Sequence, residues 1–103
     1  MKVSYFEKVK KFIGSLPDEL EAEVISLINV LEKSERPLAM PYSKSLGNGL
    51  FELRTSGEIK VRVFYCFHEN MVNLLHGIVK KTQKTPKKEI DYARKMQKLI
   101  ESL

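Results

Sequence analysis

The sequence predicts an α+β protein in which an N-terminal helical hairpin packs on a small antiparallel β-meander that is followed by a C-terminal helix. Apolar residues recur at helical spacing before residue 34 and again after residue 86. Between them lie three short, largely apolar runs separated by turn sequences, and the middle run is rich in Val, Ile, Phe and Tyr. A chain of 103 residues can bury one hydrophobic core, so we expect a single domain over residues 1–103.

The two N-terminal helices are predicted from their start and stop signals. A capping-box pattern with Ser4 as the N-cap predicts a first helix over residues 5–14. Pro17 suits the first position of a second helix, which ends near Lys33. Residues 34–49 contain two prolines, two glycines and three serines, and this composition predicts a loop.

The predicted meander consists of strands over residues 50–54, 59–67 and 71–79. The connections between them are short, which indicates antiparallel pairing. Thr85 as an N-cap and Pro86 at the first helical position then predict the start of the last helix.

The composition excludes several classes of protein. No run approaches the ~18 apolar residues of a membrane span and no signal-peptide layout is present, so we expect a cytoplasmic protein without a membrane partner. Cys66 is the only cysteine, which excludes an intrachain disulfide, and its apolar neighbours predict a buried thiol. The sequence has no metal-binding spacing, phosphate loop or nucleophile elbow, so we expect no metal and no cofactor.

The net charge of +5 is spread unevenly along the chain. Residues 1–35 hold five basic and seven acidic side chains, whereas residues 36–103 hold thirteen basic and six acidic ones. Such a basic region suggests an anionic partner, with nucleic acid as the first candidate. The densest part is either a solvated basic loop or a phosphate-binding edge, and it contains five lysines: Lys80, Lys81, Lys84, Lys87 and Lys88.

Arginine side chains on the predicted meander are the other candidates for a site. Arg62 interrupts an otherwise apolar strand, so it must either pair with a carboxylate such as Glu52 or open into a cleft that binds an anion. Arg54 ends the preceding strand. If the turn places Arg54 opposite Ile59, simple alternation puts Arg54 and Arg62 on opposite faces of the sheet, and only a bulge would reverse this.

The two histidines have no obvious partner carboxylate in the sequence. Alternation predicts that His76 shares a strand face with Val72, Leu74 and Ile78, as a core or cleft-edge residue. We place it among the candidates for RNA binding. His68 lies at a turn, where we expect it to be solvated.

A cationic cleft without a metal ion or histidine can still cleave RNA, because the substrate supplies its own 2′-hydroxyl nucleophile. The protein then has to orient this hydroxyl and stabilise the negative charge that develops on the pentacoordinate phosphate. A lysine whose pKa is lowered by neighbouring cations could also transfer a proton. DNA lacks the 2′-hydroxyl and would be inert.

Three segments, residues 43–54, 61–65 and 74–90, resemble the phage-derived branch of the RelE/HigB toxin family. The most specific of the matching motifs is Lys-Lys-Thr-Gln-Lys-Thr-Pro, which begins at Lys80, and the resemblance covers about residues 16–96. It implies the toxin of a type II toxin–antitoxin system that enters the 30S A site of the ribosome and cleaves mRNA. It also implies a helix-turn-helix antitoxin as the partner in a hetero-oligomer.

The resemblance also implies roles for individual residues. Arg62 matches the strand arginine that stabilises the phosphate and the transition state, and Lys80 and Lys81 match the basic pair at the end of the last strand. Arg54 and Lys84 match positions that contact RNA or support the fold. We expect the lysines at the start of the last helix, Lys87 and Lys88, to bind backbone phosphates.

Two departures from the family pattern bear on this assignment. Related toxins begin with a β-strand, whereas the capping pattern here leaves room only for residues 1–5, so the sequence leaves two alternatives: a short first strand, or a sheet without it whose edge is open to a partner. Glu52 stands where related toxins carry a lysine, and it either pairs with an arginine or acts as a base. The alternatives are a ParE-like toxin that binds gyrase and a degenerate RNA- or ribosome-binding module.

Overall fold

The computed structural model describes residues 1–103 and confirms the α+β class, with three helices around one five-stranded mixed sheet. In chain order the elements are β1 (Lys2–Tyr5), α1 (Glu7–Gly14), α2 (Asp18–Ser34), β2 (Ser43–Gly47), β3 (Leu50–Arg54), β4 (Lys60–His68), β5 (Met71–Lys80) and α3 (Lys87–Glu101). The spatial order of the strands is β1-β5-β4-β3-β2. β1 runs parallel to β5. Every other pair of neighbouring strands is antiparallel, including β3, β4 and β5, which form the predicted meander.

The first strand, whose presence the sequence left open, is formed. Residues 2–5 form β1 and pair with β5, so that Ser4 lies opposite Asn73. The Ser4 hydroxyl donates to Asn73 Oδ1 at 2.6 Å instead of capping a helix, and Phe6 occupies the N-cap of α1 without a side-chain cap. Pairing with β5 satisfies several backbone groups of β1, whereas a capping hydroxyl satisfies one donor.

The prediction of a loop over residues 34–49 was wrong in its second half, where β2 pairs with β3. The tight turn that follows uses positive φ angles at Gly47, Asn48 and Gly49, which is the turn chemistry that the sequence indicated. Ser43 begins the strand and is buried, and its Oγ lies 2.6 Å from the Tyr65 hydroxyl oxygen. This contact ties the edge strand to the core.

Two hydrophobic cores lie on the two faces of the sheet. The larger one joins residues of α1 and α2 to the strands and includes Val24, Leu31 and Tyr65. The smaller one joins Ala93 of α3 to Cys66 and to neighbouring strand residues. Cys66 is buried as predicted, and burial raises the pKa of its thiol to about 11.

A bulge in β5 changes the face on which His76 lies. Phe64 is opposite His76, but the next residue of β4 is opposite Leu74, so Leu75 is the extra residue. His76 therefore lies on the α3 side and stacks on Phe64 with ring centroids 5.7 Å apart. The prediction that His76 shares a face with Leu74 was wrong because simple alternation does not hold across a bulge.

The register of β3 and β4 decides where the two strand arginines lie. Arg54 is directly opposite Arg62, so both side chains are on the same face, and the prediction of opposite faces was wrong. The Thr55 amide donates to the Val61 carbonyl, so the turn is longer than the one assumed from the sequence. None of the three helices is both long enough and apolar enough to cross a membrane.

Candidate nucleic-acid interface

A cavity of about 370 Å³ lies on the α3 side of the sheet, between β2, β3, the end of β5 and the loop that leads into α3. Only two of its nine lining residues are hydrophobic. We call it the basic cavity, since its charged lining residues are four cations and one anion: Lys44, Glu52, Arg54, Lys80 and Lys84. An excess of cations in a concave site favours binding of an anion.

Glu52 lies at the centre of this cluster and is only 3% exposed. Its Oε1 atom is 3.9 Å from Nε of Arg54 and 3.9 Å from Nε of Arg62. Its Oε2 atom accepts a hydrogen bond of 3.1 Å from the Thr85 hydroxyl. Oε2 therefore accepts a hydrogen bond and Oε1 faces two cationic groups, so that Glu52 links two strands to the loop before α3.

Arg62 takes the first of the two alternatives that the sequence left open, since it pairs with Glu52. It is 3% exposed and does not line the basic cavity. Its Nη1 donates to the Val61 carbonyl at 3.0 Å, while Nε has no hydrogen-bond acceptor. Burial and the neighbouring Arg54 lower the pKa of Arg62, and Glu52 opposes this effect. Arg62 thus affects the basic cavity indirectly, through its positive charge and through its ion pair with Glu52.

Lys80 ends β5 at the mouth of the same cavity. Its Nζ donates to the Gln83 carbonyl at 2.9 Å, which folds the following loop back onto the strand. Burial, and then the charges of Arg62 and Arg54, lower the pKa of Lys80 from its ordinary value of 10.5, although Glu52 partly opposes them. Because this pKa is lowered, a larger fraction of Lys80 carries a neutral amine at a given pH than is the case for a free lysine.

The other predicted lysines are not gathered around this site. Lys81 follows the last strand, is exposed and does not line the cavity. Lys87 and Lys88 are exposed in the first turn of α3, where Lys87 Nζ forms an ion pair of 2.9 Å with Asp91. The sequence suggested that an anion compensates the positive charge at this helix start, and Asp91 supplies part of that compensation.

His76 lies outside the basic cavity and has a carboxylate partner that the sequence did not reveal. Its Nε2 is 2.8 Å from Glu89 Oε1, and its ring meets Tyr92 edge-on at 4.6 Å. It lines a separate, mainly apolar cavity of about 470 Å³ that also contacts Phe12. This contact ties α3 to β5 next to the loop that carries Lys84.

Sequence reasoning missed three residues of the basic cavity: Lys44, Gln83 and Thr85. Lys44 was missed because residues 43–47 were predicted to be part of a loop. In the structure they form β2, in which Lys44 lies opposite Glu52. Thr85 was predicted to cap α3, but Pro86 is the N-cap and no side chain caps this helix. The Thr85 hydroxyl bonds to Glu52 instead, a contact across 33 positions that no local pattern encodes.

The fold and the basic cavity define a small α+β protein with a cationic site for an anionic ligand. A model of the phage-derived Gp49-like proteins (DUF891) matches residues 11–98, so the chain belongs to this family. The family is toxin-like and related to RelE and HigB, and it is consistent with a toxin–antitoxin system that includes an antitoxin partner. No curated protein matches the chain.

Proposed function

We propose that this protein is the toxin of a type II toxin–antitoxin system and that it cleaves mRNA on the ribosome. The observation that carries the proposal is the basic cavity, in which four cationic side chains surround one buried carboxylate. Membership of a toxin-like family supports the same conclusion. A toxin that only binds a protein such as gyrase would not require a cationic recess of this kind.

In this proposal the RNA phosphate lies in the basic cavity against Arg54 and Lys44. The guanidinium group of Arg54 is 22% exposed and is oriented by Glu52, so it can donate to the phosphate oxygens. Negative charge increases on these oxygens when the phosphorus becomes pentacoordinate. Fixed cations therefore stabilise the transition state more than the bound substrate.

The proposed reaction uses the substrate's own 2′-oxygen. This oxygen attacks the adjacent phosphorus while the bond from phosphorus to the 5′-oxygen breaks, which leaves a 2′,3′-cyclic phosphate and a 5′-hydroxyl. Lys80, with its lowered pKa, is the group that we assign to accept the 2′-hydroxyl proton. A cationic lysine of the same cavity, Lys44 or Lys84, gives a proton to the departing 5′-oxygen.

Glu52 and Arg62 have supporting roles in this scheme. The oxygens of Glu52 already accept from Thr85 and face the two arginines, so we assign Glu52 to positioning Arg54 rather than to proton transfer. Arg62 adds positive charge from behind the cavity. Lys81 and Lys88 are exposed on the same loop and helix start and can contact phosphates farther along an RNA strand, whereas Lys87 would first have to leave its ion pair with Asp91.

The proposed partner is an antitoxin with a helix-turn-helix domain that forms a hetero-oligomer with the toxin. The proposed place of action is the 30S A site in the cytoplasm. A small helix-turn-helix gene next to the gene for this chain would encode the candidate partner, and co-expression of the two followed by co-purification tests the assignment. Failure of the two proteins to form a complex while the toxin alone arrests growth would contradict this assignment.

The experiment for the activity is to induce the protein in cells and map RNA 5′ ends. We expect cuts within translated codons that are strongly reduced, but still measurable, in Arg54→Ala and in Lys80→Met. The matched control is Lys95→Ala, since Lys95 is an exposed lysine on α3 that does not line the basic cavity. Growth arrest with intact mRNA and a DNA-damage response would instead indicate a gyrase-binding toxin. Absence of toxicity would indicate a degenerate module.

A further inference from the structure

Two large apolar side chains are exposed at the open edge of the sheet, directly before β2. Met40 is 60% exposed and Tyr42 is 52% exposed, and neither belongs to either hydrophobic core. Single exposed apolar residues are common on protein surfaces, but these two lie together beside a polar site, which makes them candidates for contact with a ligand. We call these two side chains the apolar shelf.

The apolar shelf is next to the basic cavity. The Arg54 amide donates to the Tyr42 carbonyl at 2.8 Å, which places Tyr42 opposite Arg54 and extends the pairing of β2 with β3 by one residue. Ser43 is buried toward the core, so alternation places Tyr42 on the same face as Lys44, which lines the cavity. The Arg54 Nη1 atom lies 3.6 Å from the Met40 sulfur. One arginine therefore contacts both the cavity and the apolar shelf.

This arrangement matches the two chemical parts of a single-stranded nucleotide. Sites for single strands combine cations that hold the phosphate with an aromatic face on which a base stacks. A tyrosine ring provides such a face, and a polarizable thioether packs well against aromatic rings. Arginine can hold the phosphate and at the same time pack along the base. These three groups lie side by side in the structure.

We propose that Met40 and Tyr42 form a nucleobase subsite, which takes the base of a nucleotide whose phosphate lies in the basic cavity. This inference rests on the proposed function, since it requires an RNA strand in that cavity. Stacking on one ring accepts every base, so the subsite favours purines through their larger area and sets orientation more than sequence. It fixes the direction in which the strand crosses the sheet edge.

The test measures binding of a short 2′-O-methyl RNA, of roughly six nucleotides to span such a site, because it cannot be cleaved through its 2′-oxygen. The wild-type protein, Tyr42→Ala and Tyr42→Trp are compared by fluorescence anisotropy of a labelled oligonucleotide. We expect Tyr42→Ala to weaken binding on the order of 10-fold and Tyr42→Trp to retain it. The chain has no tryptophan, so the new indole also reports stacking through quenching by bound RNA.

Two controls isolate the base contact. Tyr5→Ala removes another half-exposed tyrosine, 49% exposed on β1 at the opposite edge of the sheet, and should leave binding unchanged. An oligonucleotide with the same backbone but abasic positions should bind wild type and Tyr42→Ala equally. Tyr42 lies outside both cores, so its truncation should keep the melting temperature near that of the wild type.

The outcomes separate this subsite from the activity itself. Equal binding of base-containing RNA by wild type and Tyr42→Ala, with no indole quenching, overturns the subsite even if Arg54→Ala strongly reduces cleavage in cells. No binding by the wild-type protein also overturns it, while mapping of RNA 5′ ends still decides the activity. Tyr42→Ala that loses antitoxin affinity but not RNA affinity would assign the apolar shelf to the protein partner instead.

Discussion

Thr85 donates its hydroxyl to Oε2 of Glu52 at 3.1 Å, across 33 positions of the chain. It stands immediately before Pro86, where a threonine would ordinarily cap the helix that follows. Here α3 has no side-chain cap, and the Thr85 hydroxyl instead attaches the loop that carries Lys84 to Glu52 of β3. The position of this loop therefore depends on a buried carboxylate and not on helix capping.

The first prediction concerns Thr85→Val, which keeps the shape of the side chain and removes its donor. We expect the free energy of unfolding to fall by about 2 kcal/mol, because a hydrogen bond to a buried carboxylate is lost. Urea denaturation measures this change. The control Thr82→Val removes an exposed hydroxyl that bonds to the Lys84 carbonyl in the same loop, and it should cost less than about 1 kcal/mol. Equal losses in the two variants would contradict the role of Thr85.

The second prediction concerns the buried pair of Glu52 and Arg62, whose side chains are both 4% exposed. Glu52→Gln leaves a buried arginine beside Arg54 without a countercharge, so we expect a loss of roughly 3–5 kcal/mol in the free energy of unfolding. Arg62→Met should cost less, because Glu52 keeps Arg54 and Thr85 as partners. A double-mutant cycle measures the coupling, which should exceed about 1 kcal/mol. Additive losses would mean that the two side chains do not interact.

The third prediction is a pH dependence that arises from Lys80. Its pKa in the folded protein is below the ordinary 10.5, so between these two values the unfolded chain binds more protons and stability rises with pH. The neutral amine also becomes available at a lower pH than in a free lysine. We therefore expect the cleavage rate on purified ribosomes to rise with an apparent pKa below 10.5 and this rise to vanish in Lys80→Met.

Arg54 provides a check on that assignment, because its charge is one of the causes that lower the pKa of Lys80. In Arg54→Ala the pKa of Lys80 should be higher than in the wild type. The remaining cleavage rate should therefore reach its high-pH maximum at a higher pH. Lys95→Ala, remote from the cavity, should leave the pH profile unchanged. A profile that does not move in Arg54→Ala would show that Lys80 is not the titrating group.

The fourth prediction uses two glycines. A methyl group at Gly77 would lie 2.4 Å from Cδ2 of Phe12, so Gly77→Ala must push the ring out of its packing. We expect a loss of about 1–3 kcal/mol from overpacking, measured as the free energy of unfolding. At Gly57 an added methyl group meets nothing within 4 Å, so Gly57→Ala should be close to neutral. Equal stability of the two variants would show that α1 shifts freely over β5.

The sequence predicted the elements whose signals are local. The helices α2 and α3 and the strands β3 to β5 carry long apolar patterns and distinct turns, so they were found with nearly correct limits. β1 and β2 are short edge strands, and each was hidden by a stronger local signal: the capping box at Ser4 for β1, and the prolines and glycines around β2. β1 becomes a strand only through its pairing with the distant β5, and β2 only through its pairing with the neighbouring β3.

The candidate site was predicted in part for the same reason. Residue types and charge density pointed to Glu52, Arg54, Lys80 and Lys84, which do line one cavity. Register could not be obtained from the pattern, because one bulge in β5 moves His76 to the other face and a longer turn brings Arg54 opposite Arg62. Burial also depends on register, so the sequence could not show that Arg54 is the accessible arginine and Arg62 the buried one.

The contact between Glu52 and Thr85 has a consequence during synthesis of the chain. β3 and its carboxylate leave the ribosome well before Thr85, and until then the loop that bears Lys84 has nothing to hold it in place. An incomplete chain therefore carries the arginines but not the assembled basic cavity.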